Sequence, residues 1–235
     1  MNIILTGGSR GLGKAIAERF ASDGADHALF LSARNKIHLE QTAAGLKKMN
    51  PKTSVEIFPA DLSVKKEVEA FAHWFESKNK GADIIVNNAG SFLPGRVHDE
   101  PEGTLESMIQ TNLYSAYYLT RSLLPRMIKE KRGHIFNMCS IASLVAYENG
   151  GAYSISKFAL AGFSKNLREE LKPFNIKVTT VYPGATFTDS WAGSGVDPKR
   201  IMEAKDIADL VYAASFLSPQ ACVEDIVIRP VAGDL

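Results

Sequence analysis

Short apolar runs alternate with longer amphipathic stretches along the whole chain of 235 residues. Each short run is rich in Ile, Leu, Val or Phe and predicts a strand, because these side chains suit a sheet. The stretches between them place apolar residues four positions apart, as Leu12, Ile16 and Phe20 do, which predicts helices. The predicted strands are 3–5, 28–32, 55–58, 84–86, 134–138, 178–182 and 225–229. The predicted helices are 11–23, 37–50, 64–78, 104–131, 152–172 and 206–217.

This regular alternation predicts the fold class. Largely apolar strands that alternate with helices are typical of a parallel sheet with helices on both faces. No repeat, low-complexity tract or linker-like stretch divides the chain. We therefore predict one α/β domain over 1–235, a doubly wound, Rossmann-like parallel sheet of seven strands with helices on both faces. The mostly irregular stretch 183–205 is expected to be a substrate loop.

Composition and charge narrow the class of partner. The 27 Lys and Arg nearly balance the 26 Asp and Glu, so no strong field favours nucleic acid or an anionic membrane. No run approaches the ~18 apolar residues of a membrane span, and a glycine loop begins at Gly7, where the apolar part of a signal peptide would lie. Cys139 and Cys222 suit a reducing compartment. We expect a cytoplasmic protein that acts on a small molecule, with no nucleic-acid or membrane partner.

A glycine-rich loop follows the first predicted strand and opens the first helix. Gly7, Gly11 and Gly13 are spaced Gly-x3-Gly-x-Gly. Glycines allow the tight turn that brings backbone N–H groups against a pyrophosphate at a helix N-terminus. The loop therefore predicts a dinucleotide site. The other candidate residues of this turn are Ser9, Arg10 and Leu12.

The end of the second predicted strand indicates which dinucleotide binds. An NAD site needs an acidic residue about 20 positions beyond the loop, but that count from Gly13 reaches Ala33, followed by Arg34. A guanidinium binds a 2′-phosphate through paired hydrogen bonds, whereas a carboxylate would repel it. Arg10 offers a second cation on the same side. We therefore predict NADP(H) as cofactor.

Candidate catalytic residues lie near the predicted helix 152–172. Tyr153 and Lys157 are four positions apart and share one face of that helix. The ammonium is expected to favour the phenolate and to lower the pKa of Tyr153. Ser140 follows the fifth predicted strand, at the edge of a parallel sheet where ligands bind. Together these residues predict proton transfer to or from a substrate oxygen.

At this point the chain resembles the short-chain dehydrogenase/reductase family, in its single-domain branch. The resemblance covers nearly all of the chain and implies an NADP-dependent oxidoreductase that acts on CH-OH or C=O groups. The motifs that carry it are Thr6-Gly7-x3-Gly11-x-Gly13, Asp61-Leu62, Asn87-Asn88-Ala89-Gly90, Asn112, Ser140, Tyr153-x3-Lys157 and Pro183-Gly184.

The resemblance also implies roles for single residues. Asp61 would hydrogen-bond the adenine, and Asn112 would complete a Ser–Tyr–Lys–Asn tetrad, although hydration alone also explains a polar residue in a helix. Thr186 stands where the family usually has Val or Ile beside the nicotinamide. The other residues implied to contact cofactor are Leu62, Asn88, Ala89, Gly90, Pro183, Gly184 and Thr188.

The implied reaction is transfer of hydride from NADPH to a carbonyl carbon. Tyr153 would protonate the carbonyl oxygen, and Ser140 would polarise it by hydrogen bonding. Lys157 would tune Tyr153 and hold the nicotinamide ribose. Asn112 would support a water chain that reprotonates the site.

Aromatic and acidic residues in the predicted loops suggest the substrate. A large ring such as Trp191 can stack on a planar molecule. The tail 223–235 and the stretch 183–191 look like those of bacterial sepiapterin-reductase-like members of the family, which implies a pterin-like or aromatic ketone. The candidate substrate residues are Phe92, Tyr147, Asp189, Trp191 and Asp234.

Other activities remain open from the sequence. They are a broad diketone or aldehyde reductase, a 3-oxoacyl thioester reductase, an NAD-linked alcohol or sugar dehydrogenase, and a non-catalytic dinucleotide sensor. The intact Ser140, Tyr153 and Lys157 count against a sensor, and Arg34 counts against NAD. No metal site is expected, because the five histidines lack ligand spacing. The apolar surface of helices 104–131 and 152–172, together with the resemblance, implies a homodimer or homotetramer.

Overall fold

The computed structural model describes residues 1–191 and 195–235. The strands are β1 (Asn2–Thr6), β2 (Ala28–Ala33), β3 (Ser54–Pro59), β4 (Ile84–Asn87), β5 (Gly133–Met138), β6 (Ile176–Pro183), β7 (Thr186–Phe187), β8 (Met202–Glu203) and β9 (Asp225–Ile228). Within the described residues, seven of them form a parallel sheet in the order β3-β2-β1-β4-β5-β6-β9. The predicted seven-stranded parallel sheet is confirmed.

Helices cover both faces of this sheet. They are α1 (Gly11–Ala21), α2 (Lys36–Met49), α3 (Lys65–Glu76), α4 (Thr104–Ile109), α5 (Ser115–Glu130), α6 (Gly151–Leu171) and α7 (Ala204–Ser215). Ile3 and Leu5 pack against α1, α2 and α7, whereas Ile4 packs against α3, α5 and α6. Successive strand residues point to opposite faces, and helices cover both, which explains why the central strands β1, β2 and β4 are largely apolar. None of the helices in the described ranges is long and apolar enough to cross a membrane.

The strand order places a ligand cleft at one edge of the sheet. β1 pairs with β2 on one side and with β4 on the other. Connections from the two halves of such a sheet leave in opposite directions, so a crevice opens at the carboxyl ends of the strands where the order reverses. The loops that follow β1, β4, β5 and β6 meet at this edge.

Buried amides connect these strands to the helices behind them. The side-chain amide of Asn87 donates hydrogen bonds to Asn137 Oδ1 at 2.8 Å and to Thr120 Oγ1 at 3.0 Å. The amide of Asn137 donates in turn to Ser164 Oγ at 2.8 Å. The network therefore joins β4 and β5 to α5 and α6, and it fixes the helix that carries Tyr153 against the sheet.

The long helix predicted over 104–131 is not continuous in its hydrogen bonding. A π-helical turn, Gln110–Tyr114, separates α4 from α5. Such a turn inserts one residue into the hydrogen-bond ladder while the chain keeps a helical path, so apolar periodicity does not reveal it. Asn112 lies in this turn.

The stretch 183–205, predicted to be mostly irregular, contains a short parallel ladder. Thr186 pairs with Met202, and Phe187 pairs with Glu203. Single 3₁₀ turns at Asp189–Trp191 and Pro198–Arg200 lie between the two strands. Two residues per strand are too few for a hydrophobic pattern to predict. Residues 192–194 of this stretch lie outside the described residues.

Candidate active site

A cleft of about 630 Å³ runs along the carboxyl edge of the sheet. Backbone groups of the glycine loop form its middle, cationic side chains lie at the end near β2, and Ser140 and Tyr153 lie at the end near β5. Most of the cofactor residues expected from the sequence line this cleft. They are Gly7, Ser9, Arg10, Gly11, Leu12, Arg34, Asp61, Leu62, Asn88, Ala89, Gly90, Pro183, Gly184, Thr186 and Thr188.

The glycine loop closes tightly on the strand beside it. Gly7 and Gly11 have positive φ angles of 68° and 54°, which L side chains rarely adopt. A Cβ on Gly13 would lie 2.3 Å from the Gly7 carbonyl oxygen and 2.6 Å from Asn88 Nδ2. These residues therefore have to be glycines for α1 to begin directly at the cleft. Backbone N–H groups at a helix N-terminus favour a bound anion such as phosphate.

Arg10, Arg34 and Asp61 share the end of the cleft near β2. Burial raises the pKa of Asp61, but hydrogen bonds from Ser63 and the charge of Arg34 outweigh it, so this pKa lies below its ordinary value. The Ser63 hydroxyl and N–H donate to Asp61 Oδ1 at 2.7 and 3.0 Å. These interactions keep the Asp61 carboxylate ionised, so it can accept hydrogen bonds from a ligand in the cleft.

Asn35 and His38 also line this end, and we did not predict either from the sequence. The Asn35 side chain caps α2 by accepting the His38 N–H at 2.9 Å. A cap residue directly after Arg34 is a signal that could have placed the first turn of α2 at the site.

At the opposite end, Ser140 and Tyr153 face each other. Ser140 Oγ accepts the Ala142 N–H at 3.2 Å and so caps the 3₁₀ turn after β5. The Lys157 ammonium lies 5.8 Å from the centre of the Tyr153 ring and donates to the Met138 carbonyl at 2.8 Å. The end of β5 and the first turns of α6 therefore bring Ser140, Tyr153 and Lys157 together.

The prediction that the pKa of Tyr153 is lowered is wrong. Burial raises the pKa of the Tyr153 phenol, and a hydrogen bond from Ser140 only partly opposes it. Burial also lowers the pKa of Lys157. Each charged form loses hydration, and the ammonium points to a carbonyl rather than to the phenol oxygen. Tyr153 therefore keeps its proton at neutral pH.

Asn112 is buried, so hydration does not explain it. Its amide donates to Ser156 Oγ at 2.8 Å and to the Ser91 carbonyl at 3.1 Å, and its Oδ1 accepts the Ser91 N–H at 2.8 Å. A Cβ on Gly90 would lie 3.2 Å from Asn112 Oδ1 and 3.6 Å from Lys157 Nζ. The structure thus brings Asn112 beside Lys157 through the π turn.

The structure places the substrate candidates of the sequence in different surroundings. The Phe92 ring packs edge-on against Tyr153, with centroids 4.8 Å apart. Burial, and to a smaller extent the charge of Tyr153, raise the pKa of Tyr147 to about 12. Neither Phe92 nor Tyr147 is among the described residues that line the cleft. Asp189 and Trp191 line the cleft.

Asp234 is placed elsewhere than expected. It forms an ion pair with Arg229, and its Oδ1 would lie 2.5 Å from a Cβ on Gly184. Asp234 therefore supports the back of the Pro183–Gly184 turn and is not among the described residues that line the cleft. Charge pairing along the tail decides its position, and the sequence order alone did not reveal that pairing.

Comparisons with known proteins agree with this geometry. The short chain dehydrogenase family matches residues 1–198. Sepiapterin reductase of Chlorobaculum tepidum is 30% identical over 239 residues, which cover 99% of this chain and 97% of that protein. The chain belongs to the short chain dehydrogenase family, and it is therefore an oxidoreductase.

Two solved structures extend the likeness over the whole fold. An alcohol dehydrogenase from the archaeon Thermococcus sibiricus, complexed with 5-hydroxy-NADP, has a TM-score of 0.90 and 27% identity, with 100% of this chain and 98% of that chain covered. A metagenomic short-chain oxidoreductase in complex with NADP has a TM-score of 0.84 and 31% identity, with 98% and 97% covered.

The reactivity of the two cysteines tests the burial of Cys139, which lines the cleft. Burial raises the pKa of Cys139 to about 12, whereas Cys222 is exposed. A thiol reacts through its thiolate, so at pH 8 we expect DTNB to modify Cys222 in the native protein and to leave Cys139 intact. Denatured protein should react at both. Native Cys222→Ser should be unreactive, and rapid reaction of that variant would contradict the burial of Cys139.

Proposed function

We propose that the chain is an NADPH-dependent carbonyl reductase whose substrate is a small, planar ketone or diketone, such as a sepiapterin-like pterin. The observation that carries the proposal is the pairing of Ser140 with a protonated Tyr153, whose ring packs against Phe92. Stretch 183–205 would supply the opposite wall as a substrate loop, with Asp189 and Trp191.

The residues of the cleft fit NADP(H). The glycine loop leaves space that side chains would fill, and the start of α1 offers N–H groups for the pyrophosphate. Arg10 and Arg34 would bind the 2′-phosphate. Complexes of two similar structures with NADP or a derivative of it support this choice. When bound, NADPH supplies the hydride.

The protein's own side chains would handle the substrate oxygen. Tyr153 donates the proton that a reduced carbonyl oxygen needs, because burial keeps the phenol protonated. Ser140 donates a hydrogen bond to the same oxygen as negative charge develops on it. Lys157 would hold the nicotinamide ribose from its position next to Gly90, and Asn112 orders the Ser91 backbone beside it.

Aromatic walls favour a planar substrate. The Phe92 ring packs against Tyr153, and Trp191 lines the cleft. Flat rings bind well between such side chains. Asp189 would accept hydrogen bonds from an amino-pyrimidinone edge, since Asp234 is committed to Arg229. The likeness to a sepiapterin reductase supports the same class.

A panel of carbonyl compounds tests the function. The purified protein would be assayed for NADPH oxidation with sepiapterin, phenanthrenequinone, small diketones, aromatic aldehydes and an acetoacetyl thioester. We expect the highest kcat/KM with the planar ketones. Turnover of the thioester alone would replace the proposal with a 3-oxoacyl thioester reductase, and no turnover at all would favour a dinucleotide sensor.

Tyr153→Phe should lower kcat about 10³-fold at nearly unchanged NADPH affinity, with Tyr118→Phe on α5 as the matched control.

Cofactor preference tests the two arginines. Removing one charge-assisted contact to a phosphate should cost about 1.5–3 kcal/mol, so Arg34→Ala should raise KM for NADPH about 10–100-fold. KM for NADH should stay within about twofold, because NADH has no 2′-phosphate. Arg121→Ala, on α5 away from the cleft, is the control. A wild-type preference for NADH would refute the roles of Arg10 and Arg34.

We further propose a homodimer or homotetramer formed through the segments around α5 and α6. Tyr114, Ile155 and Phe158 are 42%, 42% and 45% exposed, and large exposed apolar side chains favour association. Sedimentation velocity should give a mass of at least two chains. Phe158→Asp should shift the protein toward monomer, and a wild-type monomer at micromolar concentration would overturn the proposal.

A further inference from the structure

The loop 92–100 is fastened to the segment that leads into α6. The Gly95 N–H donates to the Asn149 carbonyl at 3.0 Å. Arg96 Nε donates to Asn149 Oδ1 at 3.2 Å, and the Arg96 guanidinium pairs with Glu148. Two stretches that lie about fifty residues apart in sequence are thus held together beside the site.

Glu100 lies at the centre of this contact. Its Oε1 accepts the N–H of Ala152 at 2.8 Å, one residue before Tyr153. A Cβ on Gly151 would lie 2.0 Å from Oε1, and a Cβ on Gly95 would lie 2.6 Å from Glu100 Cγ. Both glycines therefore leave the space that this one side chain occupies.

The helix itself supplies no partner for that N–H. Gly150, at the cap position of α6, has no side chain, and the first turn contains no acidic residue. The first N–H groups of a helix need partners from outside the helix, and a carboxylate also suits the positive end of the helix dipole. Glu100 meets both needs from another loop.

The same loop carries Phe92 to the Tyr153 ring. Its ring packs edge-on against Tyr153 at 4.8 Å, with the planes 80° apart. The loop therefore contacts α6 at both of its ends, through Phe92 on the Tyr153 ring and through Glu100 on the N–H just before Tyr153. Glu100 itself is not among the described residues that line the cleft.

We propose that Glu100 is a positioning residue for the substrate. By accepting the Ala152 N–H, it anchors the loop on α6 and keeps Phe92 against Tyr153 as one wall of the substrate site. This inference rests on the proposed function, in which Phe92 and Tyr153 contact the carbonyl substrate. Glu100 acts through Phe92, so its loss should affect binding of the carbonyl compound and leave cofactor binding intact.

Steady-state kinetics with NADPH and phenanthrenequinone separate these effects. We expect Glu100→Ala to raise KM for the quinone about tenfold, while kcat and KM for NADPH stay within about twofold. Glu100→Gln should keep KM for the quinone within about threefold, since its amide oxygen can accept the same N–H. Glu102→Ala, an exposed glutamate two residues on, is the matched control. An unchanged KM in Glu100→Ala, or an equal rise for NADPH, would overturn the proposal.

A double-mutant cycle tests whether Glu100 acts through Phe92. Phe92→Ala should raise KM for the quinone by itself, and adding Glu100→Ala should then change KM by less than about twofold. If the two effects multiply, Glu100 does not work through Phe92, and the proposal is wrong.

Amide hydrogen exchange tests the anchor without any substrate. Glu100→Ala should speed exchange at the Ala152 and Gly95 amides about tenfold or more relative to Glu102→Ala. Unchanged exchange would refute the anchor even if the enzyme is active. A wild-type protein that reduces no carbonyl compound would refute the proposed function and the role in substrate positioning, while accelerated exchange would still establish the contact.

Discussion

Hydrogen bonds between the end of β1 and the end of β4 are the constraint on which the cleft depends. Thr6 Oγ1 accepts the N–H groups of both Asn88 and Ala89 at 2.9 Å, and the Asn88 amide donates to the Thr6 carbonyl at 2.9 Å. The glycine loop can close over these contacts only because residue 13 has no side chain to strike Asn88. The middle of the cleft is therefore built from backbone groups, which suits a ligand with a charged, extended shape. The end of the cleft with Arg10 and Arg34 lies near β2, and the end with Ser140 and Tyr153 lies near β5, so the order of the strands fixes both positions.

Burial sets the protonation of the reactive end. The phenol of Tyr153 and the ammonium of Lys157 both lose hydration, so the pKa of the phenol rises, the pKa of the ammonium falls, and burial favours the neutral form of each. A phenol that keeps its proton suits the reducing direction of the proposed reaction, because the carbonyl oxygen must gain a proton. The Met138 carbonyl and the Asn112 amide provide the polar contacts that hold this buried corner in one arrangement.

Patterns within short stretches of sequence predicted the sheet and the cleft, whereas contacts between distant stretches escaped prediction. Apolar runs were enough for the parallel sheet, since the central strands β1, β2 and β4 are buried on both faces, and the spacing of Gly7, Gly11 and Gly13 placed the loop. The π turn at Asn112 keeps the helical path and leaves no trace in periodicity. The pKa of Tyr153 depends on its surroundings in three dimensions, and the pairing of Asp234 with Arg229 depends on how the tail folds back. Glu100 reaches Ala152 across 52 positions, a distance at which no local pattern operates.

The two proposed walls of the substrate site are supported in different ways, and this difference bears on substrate choice. Phe92 belongs to a loop that is tied to α6 by Glu100, Gly95 and Arg96. The opposite wall, with Asp189 and Trp191, follows β7, which pairs with β8 over only two residues. A wall fixed to the helix that bears Tyr153 can hold a carbonyl group at a constant distance from the phenol. Differences in the size and shape of substrates would then have to be accommodated by the wall that contains Asp189 and Trp191. Substitutions around Trp191 should therefore have a larger effect on substrate preference than on the chemical step of the reaction.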